Sequence, residues 1–167
     1  MTRTDTIRVA TIGTSTITER FADAVRAADA GGDGIRIDVA FSRDAARGRA
    51  FADRIGVPRT ATDLDALVRS GDIDAVYVGS PNGVHAEQAR RAIAAGVHVF
   101  LEKPATPTAE EFADLVEELG TWGNDGVLLW GDLHPVTVHR VLDDLVPILR
   151  RRGILRRSST GEGLRAD

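Results

Sequence analysis

Three consecutive residues, Glu102-Lys103-Pro104, follow a short apolar run and carry groups that can do chemistry. Lys103 is the only lysine among the 21 basic residues of the chain, and all the others are arginines. An isolated lysine in such a chain indicates a position that needs a compact ammonium rather than a planar guanidinium. That ammonium can donate to a hydroxyl or carbonyl oxygen of a substrate and stabilise the charge that develops there. Glu102 can orient the ammonium or bind a ribose. The alternative is a surface ion pair.

A turn that starts at Gly13 ends the first apolar run and opens a segment with helical spacing. This is the position of the dinucleotide-binding fingerprint G-x-G-x-x-G/A, of which only the first glycine is present. Ser15 and Thr18 are small, and we expect their hydroxyls to bind phosphate oxygens beside the helix N-terminus. The alternative is an ordinary turn between a strand and a helix.

Ser42 and Arg43 follow the second apolar run, where the adenosine ribose of a dinucleotide is expected. A carboxylate there would accept a hydrogen bond from the 2′-hydroxyl and repel a 2′-phosphate. An arginine can instead pair with that phosphate and stack on the adenine, so we expect NADP to be preferred over NAD. The alternative is that Arg43 is a solvated residue before a helix.

The segment Ser80-Pro81-Asn82-Gly83 follows a further apolar run. In a doubly wound sheet, ligands bind beyond the carboxyl ends of the strands. We therefore expect Ser80 and Asn82 to lie beside a nicotinamide ribose. His85 comes directly after them, and it either joins the site or is a helix-start residue whose ring is bonded to the backbone.

These candidate residues follow short strands that alternate with amphipathic helices. Strands are predicted at residues 7–12, 35–41, 75–78, 97–101 and 127–130. Helices are predicted at residues 16–28, 44–55, 64–70, 84–95, 108–119 and 136–149, with Asp44, Asp63 and Thr108 at helix starts. This alternation predicts an α/β fold with a doubly wound, mostly parallel sheet, the Rossmann fold. We expect a dinucleotide-binding domain over residues 1–150. Residues 151–167 are expected to be the truncated start of a second domain or a disordered tail.

Composition narrows the classes of function. The chain has no cysteine, which excludes disulfides, thiolate metal sites and cysteine nucleophiles, and we expect no metal site. No apolar run reaches the length of about 18 residues that a membrane span needs, and the N-terminus has no secretory apolar region. We therefore expect a cytoplasmic protein without membrane contacts. A formal net charge of −4 gives no reason to expect nucleic-acid binding.

The motifs together resemble the Gfo/Idh/MocA family of NAD(P)-dependent oxidoreductases. The pieces that carry the resemblance are IRVATIGTSTIT, VAFSRD and DAVYVGSPNGVHAEQARRAIAAGVHVFLEKPAT, within residues 7–119. The resemblance implies a catalytic or substrate-binding role for Lys103 and none for His134 or His139. It implies cofactor binding by Gly13, Ser15, Thr16, Ile17, Ser42, Arg43, Ser80, Asn82, His85 and Glu102.

The family resemblance further implies a C-terminal α+β domain that holds most substrate contacts, a histidine acid or base and the oligomer interface. We expect that domain and interface to be missing from this chain, and the chain alone to be inactive. The expected reaction is hydride transfer between a nicotinamide cofactor, NADP or NAD, and a secondary alcohol or ketone of a sugar-like or polyol-like substrate. The alternatives are a non-catalytic nucleotide-binding module or truncated product, and an NAD-dependent glycosidase of the same family.

Overall fold

The computed structural model of the chain describes residues 6–30, 34–121 and 140–154. Contacts within the chain divide it into two units, Met1–Thr106 and Pro107–Asp167. The predicted end of the dinucleotide-binding domain at residue 150 falls inside the second unit and stays a prediction. No helix in the described part of the chain is both long and apolar enough to cross a membrane.

Five parallel strands form the sheet of the first unit. They lie in the spatial order β3-β2-β1-β4-β5, so the chain adds strands outward from β1 in both directions. The strands are β1 (Ile7–Ile12), β2 (Ile35–Phe41), β3 (Arg59–Ala61), β4 (Ala75–Val78) and β5 (His98–Leu101). Every pairing in this sheet is parallel, which confirms the predicted fold class. The order reverses at β1, and this switch point is where doubly wound sheets bind ligands.

The helices of the first unit pack on both faces of the sheet, because buried strands of this kind are apolar on both sides. They are α1 (Thr16–Ala30), α2 (Ala45–Ile55), α3 (Leu64–Arg69) and α4 (His85–Ala94). One core cluster joins Leu64, Leu67 and Ala92 of α3 and α4 to alternate residues of the sheet. A second cluster joins Ala22 and Phe51, from α1 and α2, to the opposite face.

Two predicted helix starts are confirmed by side-chain caps. Asp44 Oδ1 accepts a hydrogen bond from the Arg47 amide at 2.9 Å, and Asp63 Oδ1 accepts one from the Ala66 amide at 3.0 Å. Each carboxylate thereby satisfies an amide that the first helical turn leaves without an intrahelical partner. The caps fix where α2 and α3 begin, just after the carboxyl ends of β2 and β3.

The second unit contains helix α5 (Ala109–Thr121), a turn of π-helix (Arg140–Leu145) and helix α6 (Val146–Arg151). The Glu111 amide donates to Thr108 Oγ1 at 3.2 Å, which confirms the predicted start of α5. Ala113 and Leu149 belong to the apolar cluster that joins the helices of this unit. The predicted strand 127–130, His134, His139 and most of the predicted tail lie outside the described residues.

The structure differs from the sequence-based expectation at several elements. Strand β3 was not predicted, because its three residues are too few to show a period. The predicted 97–101 strand begins at His98, and the helix predicted from residue 84 begins at His85 after a turn of 3₁₀-helix, Asn82–Val84. The helix predicted over residues 136–149 is wound as a π-helix in its first described turn, Arg140–Leu145.

Candidate functional site

The turn after β1 packs directly against the backbone of the turn after β4. Gly13 has φ +108°, and a Cβ atom built on it would lie 2.8 Å from both the backbone nitrogen and the Cα of Ser80. No L-residue with a side chain fits this conformation and this space. The Gly13 amide also donates to the Phe41 carbonyl at 3.2 Å, which joins the ends of β1 and β2. Gly13 therefore brings the ends of three strands together at one edge of the sheet.

The hydroxyls of Ser15 and Thr18 point into the protein rather than toward a ligand. Ser15 Oγ donates to the Gly79 carbonyl at 2.7 Å, and Thr18 Oγ1 lies 3.3 Å from the same oxygen. The two hydroxyls are also 3.0 Å apart, and Thr18 is fully buried. The expected phosphate contact through the Thr18 hydroxyl is wrong, because that hydroxyl is sealed inside. What Ser15 offers to a ligand is its backbone and its place before α1.

Thr16 and Ile17 form the exposed first turn of α1. The amides of a first helical turn have no intrahelical partners, and the helix dipole adds a partial positive charge at this end. This arrangement favours an anion, which is what the fingerprint position requires of the helix after β1.

An open cleft of about 550 Å³ lies along this edge, between the turns after β1, β2 and β4. Among the predicted site residues it is lined by Gly13, Ser15, Ser42, Arg43 and Ser80. The structure therefore brings half of the predicted cofactor set together. Thr16, Ile17, Asn82, His85 and Glu102 are not part of this lining.

Two cations line the cleft without counter-ions. The guanidinium groups of Arg43 and Arg47 form no ion pair and no side-chain hydrogen bond with the described residues. The one carboxylate in the lining belongs to Asp44, which caps α2 through Oδ1. Sequence reasoning missed Arg47. The signal was available, since Arg47 lies one helical turn after Arg43 at the start of a predicted helix.

The two predicted site residues after β4 differ in how their side chains are held. Ser80 Oγ donates to Gln88 Oε1 at 2.5 Å, so its hydroxyl is bonded to α4. Asn82 is exposed and begins the turn of 3₁₀-helix, with its carbonyl accepting from the His85 amide. Ser80 thus lines the cleft with its hydroxyl already in use, and Asn82 presents a side chain with no bond to any described residue.

His85 lies below the surface and connects two turns. The residue is 1% exposed, Nε2 lies 2.6 Å from the Ser80 carbonyl oxygen, and Nδ1 lies 3.0 Å from the Pro104 carbonyl oxygen. Both ring nitrogens therefore face backbone carbonyl oxygens, and the nitrogen that carries the proton donates to one of them. The sequence left open two roles for His85, and one of them was direct contact with a cofactor. The buried ring cannot make that contact. The ring instead ties the turn after β4 to the turn after β5.

Glu102 and Lys103 follow β5, as predicted, but they do not form an ion pair. The Tyr77 hydroxyl donates to Glu102 Oε1 at 2.5 Å, and the Lys103 amide donates to Glu102 Oε2 at 3.2 Å. The Lys103 ammonium is exposed and has no hydrogen bond or ion pair with the described residues. The peptide bond between Lys103 and Pro104 is cis. The surface ion pair that the sequence left open is absent from the part of the chain that the structure describes.

The chemistry of this edge fits a phosphate-bearing nucleotide. The Gly13 turn lets the backbone approach a ligand closely, and the first turn of α1 supplies amide donors. Arg43 and Arg47 add two unpaired positive charges near the end of β2. The turn that leads into α1 and the two cations line one cleft, and the nearby Asp44 carboxylate is engaged in a cap. This arrangement matches an anionic ligand.

Comparison with known proteins agrees with this chemistry. The model of the Gfo/Idh/MocA group, described as an oxidoreductase family with an NAD-binding Rossmann fold, matches residues 7–124. The chain is 44% identical over 82 residues to the D-xylose 1-dehydrogenase (NADP(+)) 2 of Haloferax volcanii, covering 47% of this chain and 25% of that protein. It is 36% identical over 138 residues to the 1,5-anhydro-D-fructose reductase of Ensifer adhaerens, covering 81% and 39%.

A solved structure has the same fold. The crystal structure of an NAD binding oxidoreductase from Klebsiella pneumoniae matches with a TM-score of 0.61 and 29% identity. The match covers 69% of this chain and 32% of that one. The chain thus spans less than half the length of each of these three proteins.

Proposed function

Because the chain belongs to the Gfo/Idh/MocA family of NAD(P)-dependent oxidoreductases, we propose that its cleft binds NADP in preference to NAD. We propose further that the protein transfers a hydride between this cofactor and a secondary alcohol or ketone of a sugar-like substrate. The observation that carries the proposal is the cleft itself, which is lined by the turn before α1, Gly13 to Ser15, together with two unpaired arginines.

The phosphates of the dinucleotide have a binding surface after β1. The Gly13 turn, the Ser15 backbone and the first-turn amides of Thr16 and Ile17 supply close approach and donors there. Ser15 and Thr18 support this surface from below by bonding to the Gly79 carbonyl. The hydroxyls thereby fix the turn, and the amides are left for the anion.

The adenosine half of the cofactor belongs beside Ser42, Arg43 and Arg47. A 2′-phosphate there would gain charge-assisted hydrogen bonds from two guanidiniums that have no partner to give up. The name of the Haloferax relative, which specifies NADP(+), supports the same preference.

The nicotinamide half belongs beside Ser80, Asn82 and Glu102, at the ends of β4 and β5. When bound, the nicotinamide supplies or accepts the hydride. Asn82 offers an exposed amide, and Glu102 offers a carboxylate that is fixed by a donor on each oxygen. These groups can hold the hydroxyls of the nicotinamide ribose.

Lys103 is the candidate catalytic residue. Its exposed ammonium can donate to a substrate oxygen, which becomes more negative when hydride arrives at the attached carbon and less negative when hydride leaves. A preorganised donor at such an oxygen lowers the barrier because the charge is stabilised where it develops. The absence of an ion pair to the described residues keeps this ammonium available.

The role of Lys103 is tested in a turnover-competent form of the protein. Lys103→Ala should lower kcat by about 10²–10³-fold, and Lys103→Arg should not restore it, because the larger fork places its donors differently. Cofactor affinity and thermal midpoint should change little, because the side chain is exposed. Near-normal turnover of Lys103→Arg would show that only a positive charge is needed there.

The substrate class is proposed from the names of the relatives. A D-xylose dehydrogenase and a 1,5-anhydro-D-fructose reductase both act on carbohydrate carbonyls or alcohols. A panel of pentoses, hexoses, anhydro sugars and inositols, assayed with NADP⁺ through the absorbance of the reduced nicotinamide, identifies the substrate. Turnover confined to compounds without a polyhydroxylated skeleton would contradict the proposal.

Binding of the cofactor itself is tested with the 167-residue chain. Titration with NADPH, followed by its fluorescence, should give saturable binding at one site per chain. Fluorescence that rises linearly with added NADPH, as it does without protein, would contradict the proposed cofactor site, whatever the activity of the protein.

A further inference from the structure

Tyr77 is the only tyrosine in the chain, and the structure fixes its ring from two sides. The ring stacks on Phe21 of α1 with centroids 3.8 Å apart and planes inclined by 5°. On another side, a Cβ atom at Gly79 would lie 2.9 Å from Tyr77 Cε1, so the glycine backbone closely abuts the ring. A ring held in this way keeps its hydroxyl at one place relative to the sheet.

At that place the Tyr77 hydroxyl meets the carboxylate of Glu102, the residue that follows the neighbouring strand β5. The Glu102 amide donates to the Val78 carbonyl at 3.0 Å, so the backbone of Glu102 is held by β4. The Tyr77 hydroxyl then donates to Glu102 Oε1 at 2.5 Å, and the Lys103 amide donates to Oε2. Backbone and side chain of Glu102 are therefore both bound to fixed groups.

The hydroxyl can act only as a donor in this contact. Tyr77 is 6% exposed, and burial together with the hydrogen bond to Glu102 raises the pKa of Tyr77 above its ordinary value. The phenol stays protonated at neutral pH, and its proton points at the carboxylate. The remaining lone pairs of Glu102, which is only half-buried, are free to accept hydrogen bonds from a ligand.

We propose that Tyr77 is a positioning residue, which holds the Glu102 carboxylate in the orientation that accepts hydrogen bonds from the nicotinamide ribose. The proposal rests on the proposed function, in which Glu102 binds that ribose. A tyrosine that only completes the core would stabilise the sheet and would have no effect specific to the nicotinamide half of the cofactor.

The test compares two ligands by calorimetric titration of the full chain. NADP⁺ reaches both halves of the site, whereas adenosine 2′,5′-bisphosphate reaches only the adenosine half. Tyr77→Phe keeps the stacked ring and removes the donor, so it should weaken NADP⁺ binding about fivefold. It should leave the affinity for adenosine 2′,5′-bisphosphate unchanged.

A double-mutant cycle shows whether Tyr77 acts through Glu102. Glu102→Ala should also weaken NADP⁺ binding, and adding Tyr77→Phe to it should cause less than about a twofold further loss, because the carboxylate that Tyr77 holds is already gone. Independent effects that multiply would overturn the proposal. So would equal weakening of both ligands by Tyr77→Phe, or unchanged NADP⁺ affinity.

If the unaltered chain binds neither ligand, the proposed function fails and this inference fails with it. Binding of both with no effect of Tyr77→Phe overturns the inference alone.

Discussion

Arginines of the strands form ion pairs at the amino end of the sheet, whereas the arginines that line the cleft at the carboxyl end do not. At the amino end, two arginines of the strands are paired with carboxylates. Arg8 donates to Asp74 through its guanidinium at 2.7 and 3.0 Å and through its amide at 2.7 Å. Arg59, the first residue of β3, pairs with Asp72 at 2.8 Å. These pairs join the starts of strands to neighbouring turns and neutralise the charge that they bring.

At the carboxyl end, the arginines that line the cleft have no such partners. Arg43 and Arg47 form no ion pair with the described residues, and Asp44 is engaged as the cap of α2. The same residue type therefore stabilises one end of the sheet and leaves charge available at the other. Lack of a partner alone does not mark the site, since Arg20 and Arg69 also form no ion pair with the described residues and lie outside the cleft. What distinguishes Arg43 and Arg47 is that they are unpaired and also line the cleft.

The largest effect is expected from the glycine that shapes the carboxyl end. Gly13→Ala places a Cβ against the Ser80 backbone at a positive φ, so NADPH binding should be lost. The free energy of unfolding should fall by about 1–3 kcal/mol. Fluorescence titration and urea unfolding measure the two effects.

The matched control is Gly56→Ala. Gly56 also has positive φ, +68°, but a Cβ there meets nothing within 4 Å. Gly56→Ala should lower the free energy of unfolding by about 1–2 kcal/mol, because alanine is strained in a left-handed backbone conformation. It should leave NADPH binding intact. Loss of binding in both variants would mean that general destabilisation, not the Gly13 turn, is responsible.

The next largest effect is expected from the two unpaired arginines. Arg43→Ala and Arg47→Ala should each weaken NADP⁺ binding by about tenfold to hundredfold, because each removes a charge-assisted hydrogen bond to the 2′-phosphate. NAD⁺ binding should change little. Arg43→Asp should reverse the preference between the two cofactors.

Arg49→Ala provides the control on the same helix. Arg49 pairs with Asp53 at 2.5 Å and does not line the cleft. Arg49→Ala should change the affinity for neither NADP⁺ nor NAD⁺ in calorimetric titration. An equal loss of NADP⁺ affinity in this variant would show that the overall charge of α2, rather than the unpaired groups, sets the preference.

The smallest effect on binding is expected at the amino end. Hydrogen bonds from the Arg8 guanidinium and amide lower the pKa of Asp74 from 3.8 to about 2. A carboxyl group whose pKa is lowered by folding contributes stability above pH 3.8, and this is lost as the pH falls toward 2. Asp74→Asn should therefore be less stable than the unaltered chain at pH 7.

That difference should shrink between pH 4 and pH 2, because the unaltered carboxylate becomes protonated there. Urea unfolding at several pH values measures it, and NADP⁺ affinity at pH 7 should be unchanged. A stability difference that does not depend on pH would assign the effect to packing rather than to the ion pair. Weaker NADP⁺ binding by Asp74→Asn would contradict the view that the amino end of the sheet contributes to stability and the carboxyl end to binding.

The sequence predicts the sheet better than it predicts side-chain directions within the site. Strands β1, β2 and β4 have the predicted bounds, because each is rich in apolar and β-branched residues and ends before a glycine or serine. The topology then brings the turns after these strands to one edge without further information. Gly13 and Arg43 could be placed at the cleft for this reason.

What the sequence could not supply depends on distant backbone groups. The hydroxyls of Ser15 and Thr18 bind a carbonyl more than 60 residues away, and the His85 ring bonds to Pro104. A local motif contains no information about either acceptor. From the sequence alone, Ser15, Thr18 and His85 could therefore be interpreted as ligand contacts. Strand β3 is missed for another reason, since three residues without an apolar pattern are defined only by their pairing with β2.

We propose that the unpaired arginines of the cleft select the phosphorylated cofactor. The most direct measurement is calorimetric titration of the unaltered 167-residue chain with NADP⁺ and with NAD⁺ under the same salt and pH. Tighter binding of NADP⁺ than of NAD⁺, with a difference that decreases as salt is added, is the predicted result. Binding of NAD⁺ that equals or exceeds that of NADP⁺ would contradict the account.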